Sequence, residues 1–514
     1  MRIRITLLLV LSAALALANG AAAQTTGAIT GTVADEHGRA LPGVTVEVTS
    51  PNLQGTRAVA SDERGVFRFP FLPPGVYRAR FTLAGFSTVE QEGITVGLGR
   101  TVTLQIGMLG AVEASVTVSG TPPLIDVQST EVGGNLPSRS FLDLPNGRNF
   151  LSVVRVVPGT SNDGGGTMVY GSSGWDSTYA IDGVNTTSIM HGFSGKELNV
   201  EFVEEVQAKT AGYQAEYGRS MGGVFNVVTR SGGNAFHGDV FGYYFADSLQ
   251  ASPEVSSATS LLGSGSYLVD SFVRSDLGAD LGGFLVKDRL WFFGAYDRVV
   301  NDTDVTPSMD YSRYGGPSTG QVYENRMTRD LWAGKFTWRI SDSHSLILSA
   351  FGDPDSTSGA LVGNLAGWMN ASFRGLNGEE STFLGEVTYG GTDFVLKYEG
   401  LLGSRFAASA QASRHRESSF TAGQDMGSVQ SWDYTTPVTF ETGNWMTRGG
   451  FGIYGNGDFW RDSVRADLTT FGLRLLGDHE VKVGAELERV SMDYSTAWTG
   501  GRVISILCMP GHVS

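Results

Sequence analysis

Hydrophobic positions along most of this chain recur with a period of two, the pattern of strands that lay one face on an apolar surface. Val44, Val46 and Val48 fall on one side of a short strand, with Thr45 and Glu47 on the other. Within 332–340, Trp332, Phe336, Trp338 and Ile340 share a face opposite Lys335, Thr337 and Arg339. Within 480–488, Val481, Val483, Ala485 and Leu487 oppose Glu480, Lys482, Glu486 and Glu488. The long unbroken apolar run is residues 5–18, preceded by Arg2 and Arg4 and followed by Ala21-Ala22-Ala23. That order reads as a secretory signal over residues 1–23. It falls short of the roughly 20 apolar residues of a membrane helix, and no later stretch reaches that length, so a helical membrane protein is excluded.

The periodicity changes character along the chain and divides it. Residues 24–108 alternate in short strands (29–33, 44–48, 66–69, 77–83, 101–106) between turns such as Asp35-Glu36-His37-Gly38 and Pro73-Pro74-Gly75. Roughly seven strands in so short a stretch predict a β-sandwich whose core holds Phe67, Phe69, Tyr77, Phe81 and Phe86. Residues 109–122 form a linker with one β-prone piece, AVEASVTVSG, ended by Thr121-Pro122-Pro123. A short strand without a partner, stopped by prolines, is an edge waiting to be paired. Residues 123–233 are α+β in texture. A helical turn is expected at 138–144 with Ser138 or Ser140 as N-cap, strands at 179–184, 203–210 and 224–228, and an Asp182-Gly183 turn taking positive φ. From 234 to 498 the alternation is sharp and aromatic. Short turns at 287–289 and 341–344 alternate with long polar stretches at 301–326 and 421–458, as in an antiparallel transmembrane barrel. After 499 the alternation dissolves, and residues 499–514 read as a non-barrel tail.

The run GxVxDxxGxxLPGVxVxV…DxxGxFxFxxLPPGxY in 24–108 resembles the carboxypeptidase-regulatory-like domain, a transthyretin-like sandwich. The segments LPNGRNF, YAIDGV, EEVQ, AEYGR, GGVFNVVTRSGG and FHG occur in the order seen in plug domains of Oar-like TonB-dependent outer-membrane receptors. The resemblance implies a mainly β chain: sandwich, α+β plug, then a partial barrel. It implies a TonB-box-like strand at Val112, Glu113, Val116, Thr117 and Val118, which would pair with a periplasmic TonB-type energy-transducing protein by β-augmentation. Plug positions carried over are Asp182, Gly183, Glu216, Tyr217, Gly218, Arg219, Gly222 and Gly223. Glu216 and Arg219 are expected to meet charges on the barrel's inner wall. The glycines are expected to serve turns or close backbone approach.

Composition narrows the function without naming a ligand. Net charge is −15, which opposes nucleic acid, whose phosphates want a basic face. Cys508 is the only cysteine, so no intramolecular disulfide forms. The seven histidines show no zinc spacing, and neither a nucleophile elbow nor a P-loop is present. No catalytic residue, metal site or cofactor is expected, and Asp182 reads as a turn residue. External ligand contacts are expected from loops and the plug apex. The Gly-rich 161–173 with Asn162, Asp163 and Tyr170, together with Trp175, is the candidate. About ten to twelve wall strands are expected where plugged transporters use about 22. Unpaired edges in lipid cost several kcal/mol per group, so the chain is expected to be a piece or disrupted copy of a longer receptor. A cell-surface carbohydrate-binding or adhesion protein anchored in the outer membrane is a second reading, and a soluble secreted multi-sandwich protein a third. Glycan affinity in isolated 24–108 and the need for detergent separate them.

Overall fold

The structure, a computed structural model, describes residues 24–110, 116–119, 130–142, 144, 147–163, 166–214, 217–251, 267–362, 375–403, 405–433, 446–474 and 478–506. The signal segment 1–23, Val112, Glu113, Glu216 and residues 507–514 lie outside them.

The N-terminal unit is a sandwich of β1 (Gly27–Asp35), β2 (Thr45–Thr49), β3 (Arg57–Ala60), β4 (Val66–Leu72), β5 (Gly75–Thr82), β6 (Val89–Val96) and β7 (Thr101–Met108). One sheet runs β4-β1-β7. The other runs β3-β2-β5-β6 and ends on β8 (Val116–Ser119). Val44, Val46, Val48, Phe67, Phe69, Tyr77 and Phe81 are buried between the sheets, and Phe86 packs at the margin. These positions follow the period-two pattern because each sheet has one inward face.

The second unit carries β9 (Val132–Pro137), the hairpin β10 (Thr160–Asp163) and β11 (Gly166–Val169), then β12 (Thr178–Ile181), β13 (Val184–Asn185), β14 (Val203–Ala211) and β15 (Val224–Thr229). Its sheet order is β13-β12-β15-β14-β9. The β12–β15 pair is parallel, which explains why the stretches 178–181 and 224–229 are apolar almost throughout and buried on both faces. Two short helices, Ser138–Phe141 and Phe150–Val154, flank it. The first is not capped by Ser138 or Ser140: Pro137 occupies the N-cap and offers no side-chain acceptor. The second is capped by Asn149, whose side chain accepts from the Ser152 N–H.

A single antiparallel sheet wraps this unit. It is made of β16 (Val240–Ala246), β17 (Tyr267–Val286), β18 (Leu290–Pro307), β19 (Tyr323–Ser341), β20 (His344–Gly352), β21 (Asp355–Ala360), β22 (Leu384–Gly390), β23 (Thr392–Leu402) and β24 (Phe406–Gly423), then, past β25 (Gln430–Asp433) and β26 (Met446–Arg448), β27 (Ile453–Arg474) and β28 (Asp478–Trp498). These are eleven strand segments. Because β20 and β21 both pair β19, and β22 and β23 both pair β24, the eleven segments form nine wall strands. β25, β26 and β29 (Val503–Ile506) make a small separate sheet, so part of the stretch after 499 is an ordered strand rather than shapeless tail.

Several wall strands run to about twice the roughly ten residues that cross a bilayer. β27 has 22 residues, roughly 70 Å of strand at about 3.3 Å per residue. Even tilted by about 40° it rises well beyond an apolar band about 25 Å tall. Both ends of the polar stretch 301–326 are therefore strand: β18 runs to Pro307 and β19 begins at Tyr323, with the connection between them. Cross-strand register places Phe292, Phe336, Leu348, Leu396, Ala412, Val464 and Leu487 in one row across seven strands. The next row is Trp291, Thr337, Ile347, Lys397, Gln411, Arg465 and Glu486. In the first row Leu487 is 76% and Val464 60% exposed, whereas Thr337 of the second is 7% exposed. A wall that turns its apolar row outward and its polar row inward has the polarity of a membrane barrel. Inside, Phe293, Ala295, Leu331, Ala333, Phe351 and Val395 of the wall join one core with Phe202, Phe225 and Val227 of the enclosed sheet.

Leu396→Arg sets a cation in the apolar row and should lower folding stability in vesicles by about 2–4 kcal/mol. Leu396→Phe should stay within about 0.5 kcal/mol. Urea titration of tryptophan fluorescence checks both.

Candidate functional site: the plug and its contacts

Asp182 and Gly183 close the β12–β13 hairpin with φ of 48° and 84°. Asp182 is an L-residue in the left-handed region, a conformation that persists only when its surroundings fix it. They do so here. Its carboxylate accepts the Thr229 N–H at 3.0 Å, the Thr229 hydroxyl at 2.6 Å and the Lys335 ammonium at 3.0 Å. Both side chains of the Asp182–Lys335 pair are at most 7% exposed. The Gly183 carbonyl accepts from Gln411 of β24 at 2.9 Å. The turn is thus pinned to two wall strands. Gly222 and Gly223 sit where a Cβ would meet Ser177 Oγ at 2.7 Å and Val169 Cγ2 at 2.6 Å, so a side chain there would force these neighbours to shift.

The Tyr217-Gly218-Arg219 turn follows β14. Tyr217 is buried, with the Lys209 ammonium 4.2 Å from its ring centroid. Arg219 reaches Glu488 of β28 at 2.6 Å. A charge contact between this turn and the inner wall is therefore present at Arg219.

On the side away from the sandwich, the Gly-rich stretch contributes paired strands, β10 lying antiparallel to β11 with Asp163 opposite Gly166. Asp163 faces its own unit, accepting from Ser173 Oγ at 3.2 Å and the Gly174 N–H at 3.0 Å. Asn162 pairs with Thr167 in the hairpin. Tyr170 and Trp175 are 63% and 45% exposed. Trp175 stands edge-on to Phe193 at 6.4 Å, and His191 stacks on the same ring at 5.2 Å. His191 and Phe193 were not among the expected apical residues. The stretch Met190-His191-Gly192-Phe193 carries no periodic or motif signal, and only the fold brings it beside Trp175.

Of the TonB-box-like stretch, Val116, Thr117 and Val118 are described, and they do not stand without a partner. β8 pairs in parallel with β6, Val116 opposite Val89 and Val118 opposite Gln91. The reason is that β6 ends the sheet and offers an open row of backbone groups. β8 in turn becomes the outermost strand of that sheet.

The sandwich is docked on both plug and wall. Leu98 donates its N–H to Glu205 of β14 at 2.7 Å, and Asn135 of β9 donates to the same oxygen at 2.5 Å. Asn52 donates to Glu204 at 2.6 Å. Arg339 donates to the Thr56 carbonyl at 3.1 Å, and Arg68 lies over the Phe471 ring. Burial pushes the Glu205 carboxyl up to about 7, against the Leu98 hydrogen bond, which pulls it down. Among the described residues, no group of three or more His, Cys, Asp or Glu is placed to hold a metal.

Asp182→Ala leaves Lys335 buried without its counter-ion, held only by the Thr229 carbonyl, and should destabilise the plug by about 3–5 kcal/mol, read as earlier urea-induced proteolysis. Glu205 has a folded value above its unfolded one, so its stabilising share is complete below about pH 4.5 and falls away as the pH rises through about 7. Protection of the amides at 97–100, with intrinsic exchange rates corrected at each pH, should therefore fall between about pH 5 and about pH 8. Glu205→Gln, which keeps an acceptor but cannot ionise, should abolish that pH response.

Comparison with known proteins places these units. Residues 28–109 match the carboxypeptidase regulatory-like domain, and residues 228–312 match an outer membrane beta barrel domain. The TonB-dependent transporter Oar of Myxococcus xanthus is 30% identical over 96% of this chain and 52% of that protein. The chain therefore spans about half the length of the curated relative it matches. The outer membrane transporter YddB of Escherichia coli superposes with a TM-score of 0.52 at 18% identity, covering 71% of this chain and 48% of that one. Pseudomonas aeruginosa FpvA, solved with heterologous pyoverdines, gives 0.47 at 14% identity over 72% of this chain and 44% of that one. The mainly β architecture, with its N-terminal β domain and partial barrel, agrees with the reading from sequence. The wall lies in the outer membrane with the sandwich on its periplasmic side, and the chain is a homologue of the TonB-dependent transporters, non-enzymatic receptors of that membrane.

Proposed function

We propose that the chain serves as an energy-coupled importer. It would bind an external ligand at the plug apex and release it inward when the plug is displaced. One observation carries this reading: the enclosed sheet is bolted to the polar face of the wall by Asp182–Lys335 and Arg219–Glu488 rather than fused to it through core alone. Ionic bolts exchange for water when force separates them, whereas an apolar seal does not. Trp175, Tyr170, Phe193 and His191, on the outer side, are the candidate ligand platform. Among the described residues the edges of β16 and β28 carry no ladder partner. Further wall strands would satisfy them, in line with the greater length of the Oar relative.

The handle in this account is β8. Its pairing with β6 means that a periplasmic TonB-type partner would either add to its free edge or peel it from the sandwich, in both cases through backbone hydrogen bonds. A glycan-binding role for the sandwich finds less support, because Phe67, Phe69, Tyr77 and Phe81 are spent on its core.

Val116→Pro removes a backbone donor and clashes with an extended pairing. Disulfide capture of the partner's periplasmic domain by Thr117→Cys should be efficient in the otherwise native chain, with Cys508 replaced by Ser, and lost when Val116→Pro is added. Capture that persists with the proline would contradict the assignment of the handle.

A further inference from the structure

The wall ladder is interrupted at one level in two neighbouring strands and along the edge of β24 that faces them. β20 stops at Gly352 and β21 starts at Asp355. β22 stops at Gly390 and β23 starts at Thr392. Pro354 has no N–H to give to a ladder. On β24, the residues at the same level are His415, Arg416 and Glu417, which fall between the two paired stretches. The interruption leaves the Arg416 carbonyl and the carboxylates of Asp353 and Asp393 facing inward.

Lys196 of the plug enters this gap. Its ammonium, fully buried, donates to Asp353 at 3.0 Å and to the Arg416 carbonyl at 2.8 Å, with Asp393 at 3.8 Å. Asp353 also accepts the Glu197 N–H at 2.8 Å. Glu417 accepts the Ser188 hydroxyl at 2.9 Å and the Ile189 N–H at 3.1 Å. Arg461 of β27 donates to the carbonyls of Asn185 and Thr187 at 2.9 Å each. Plug residues 185–197 are thus held to the wall at four places. Gly391 is part of the fit, since a Cβ there would come within 2.9 Å of the Lys196 ammonium.

His415 joins the two wall carboxylates that face this segment. Its Nδ1 lies 2.8 Å from Asp393 Oδ2 and its Nε2 2.8 Å from Glu417 Oε1, with the ring fully buried. A neutral imidazole has one N–H and would set a lone pair against one of the carboxylates. Both carboxylates already accept other donors, Arg416 N–H on Asp393 and Ser188 and Ile189 on Glu417, and each has a further lone pair for a ring N–H. The charges around the ring point the same way. The carboxylates of Asp353, Asp355, Asp393, Glu197, Glu417 and Glu488 outnumber the fixed cations Lys196, Arg219, Arg329 and Arg461. Arg416 and Asp458 pair with each other on the exposed side, and burial lowers the pKa of the neighbouring His191.

We propose that Lys196 in this wall gap is the retention point of the plug, and that a proton on His415 sets its strength. With the imidazolium in place, Asp393 and Glu417 are held apart and oriented, one towards Lys196 and the other towards Ser188 and Ile189. Removing the proton leaves adjacent carboxylates unbalanced and loosens plug residues 185–197 first. The proposal concerns how the plug is held, so it stands or falls apart from the import reading.

Hydrogen exchange on the full chain in detergent tests it, following a peptide spanning 185–197 with 224–229 of β15, which carries no titratable side chain, as internal reference and intrinsic rates corrected at each pH. Between about pH 6 and about pH 9, protection of 185–197 should fall by at least roughly tenfold, the scale of one lost charge-assisted hydrogen bond, while 224–229 holds. His415→Gln should show the loosened state at both pH values, and adding Glu417→Gln should recover most of the protection by removing the excess charge. Lys196→Met should be loose throughout. pH-independent protection in the native chain, or a His415→Gln variant that keeps the native pH response, would overturn the proposal. Where His415→Gln fails to assemble, the native pH comparison decides alone.

Discussion

A backbone N–H or C=O in hydrocarbon has no water to turn to, and leaving it unpaired costs several kcal/mol. That constraint organises the larger part of this molecule. Every wall strand between β16 and β28 is hydrogen-bonded on both sides, and the pleat then turns alternate residues outward and inward without further instruction. The outward row through Phe336, Leu348, Leu396 and Val464 can be apolar because it meets lipid. The inward row through Lys397, Gln411 and Arg465 can be polar because the plug and sandwich supply partners. Plug placement follows from the wall, since the enclosed sheet shares its core with Phe293, Leu331 and Phe351.

The plug is held by a different kind of force. Shared apolar surface positions it, but its orientation is fixed by ionic contacts, buried between Asp182 and Lys335 and between Lys196 and Asp353, and half exposed between Arg219 and Glu488. Such pairs add little net stability against a well-packed apolar alternative, because their desolvation offsets their attraction, yet each is costly to break by halves. They suit a part that must sit in one register and still be able to leave it. The sandwich adds a second restraint from below through Leu98, Asn135 and Glu205. Displacing the plug therefore involves the N-terminal domain as well as the wall.

Much of this was legible in the order of residues. The sandwich was readable because the valines of β2 and the aromatics of β4 and β5 keep strict alternation about recognisable turns. The wall was readable for the same reason in β19 and β28. The Asp182-Gly183 turn was visible as a residue pair, but not its role as a bolt, because Lys335 lies 153 positions away and nothing local marks it. The Lys196 gap was invisible for a stronger reason. It depends on two neighbouring strands breaking at one height beside an unbroken β24, a property of register that no single segment carries. The strand lengths were underestimated because polar residues beyond the hydrocarbon keep pairing in water, where hydrophobic alternation fades. The partnerless look of 116–119 misled because parallel pairing to β6 needs no hairpin to announce it.

The central claim is that one face of the wall meets hydrocarbon and the other the plug-filled lumen. Nitroxide labels placed singly along 394–399 of β23, in a Cys508→Ser background reconstituted in vesicles, test it most directly. The account predicts that Phe394, Leu396 and Tyr398 positions relax with dissolved oxygen, while Val395, Lys397 and Glu399 positions are shielded from it, a period of two along the strand. Equal access of a water-soluble relaxing agent to both sets would contradict the membrane wall and everything built upon it.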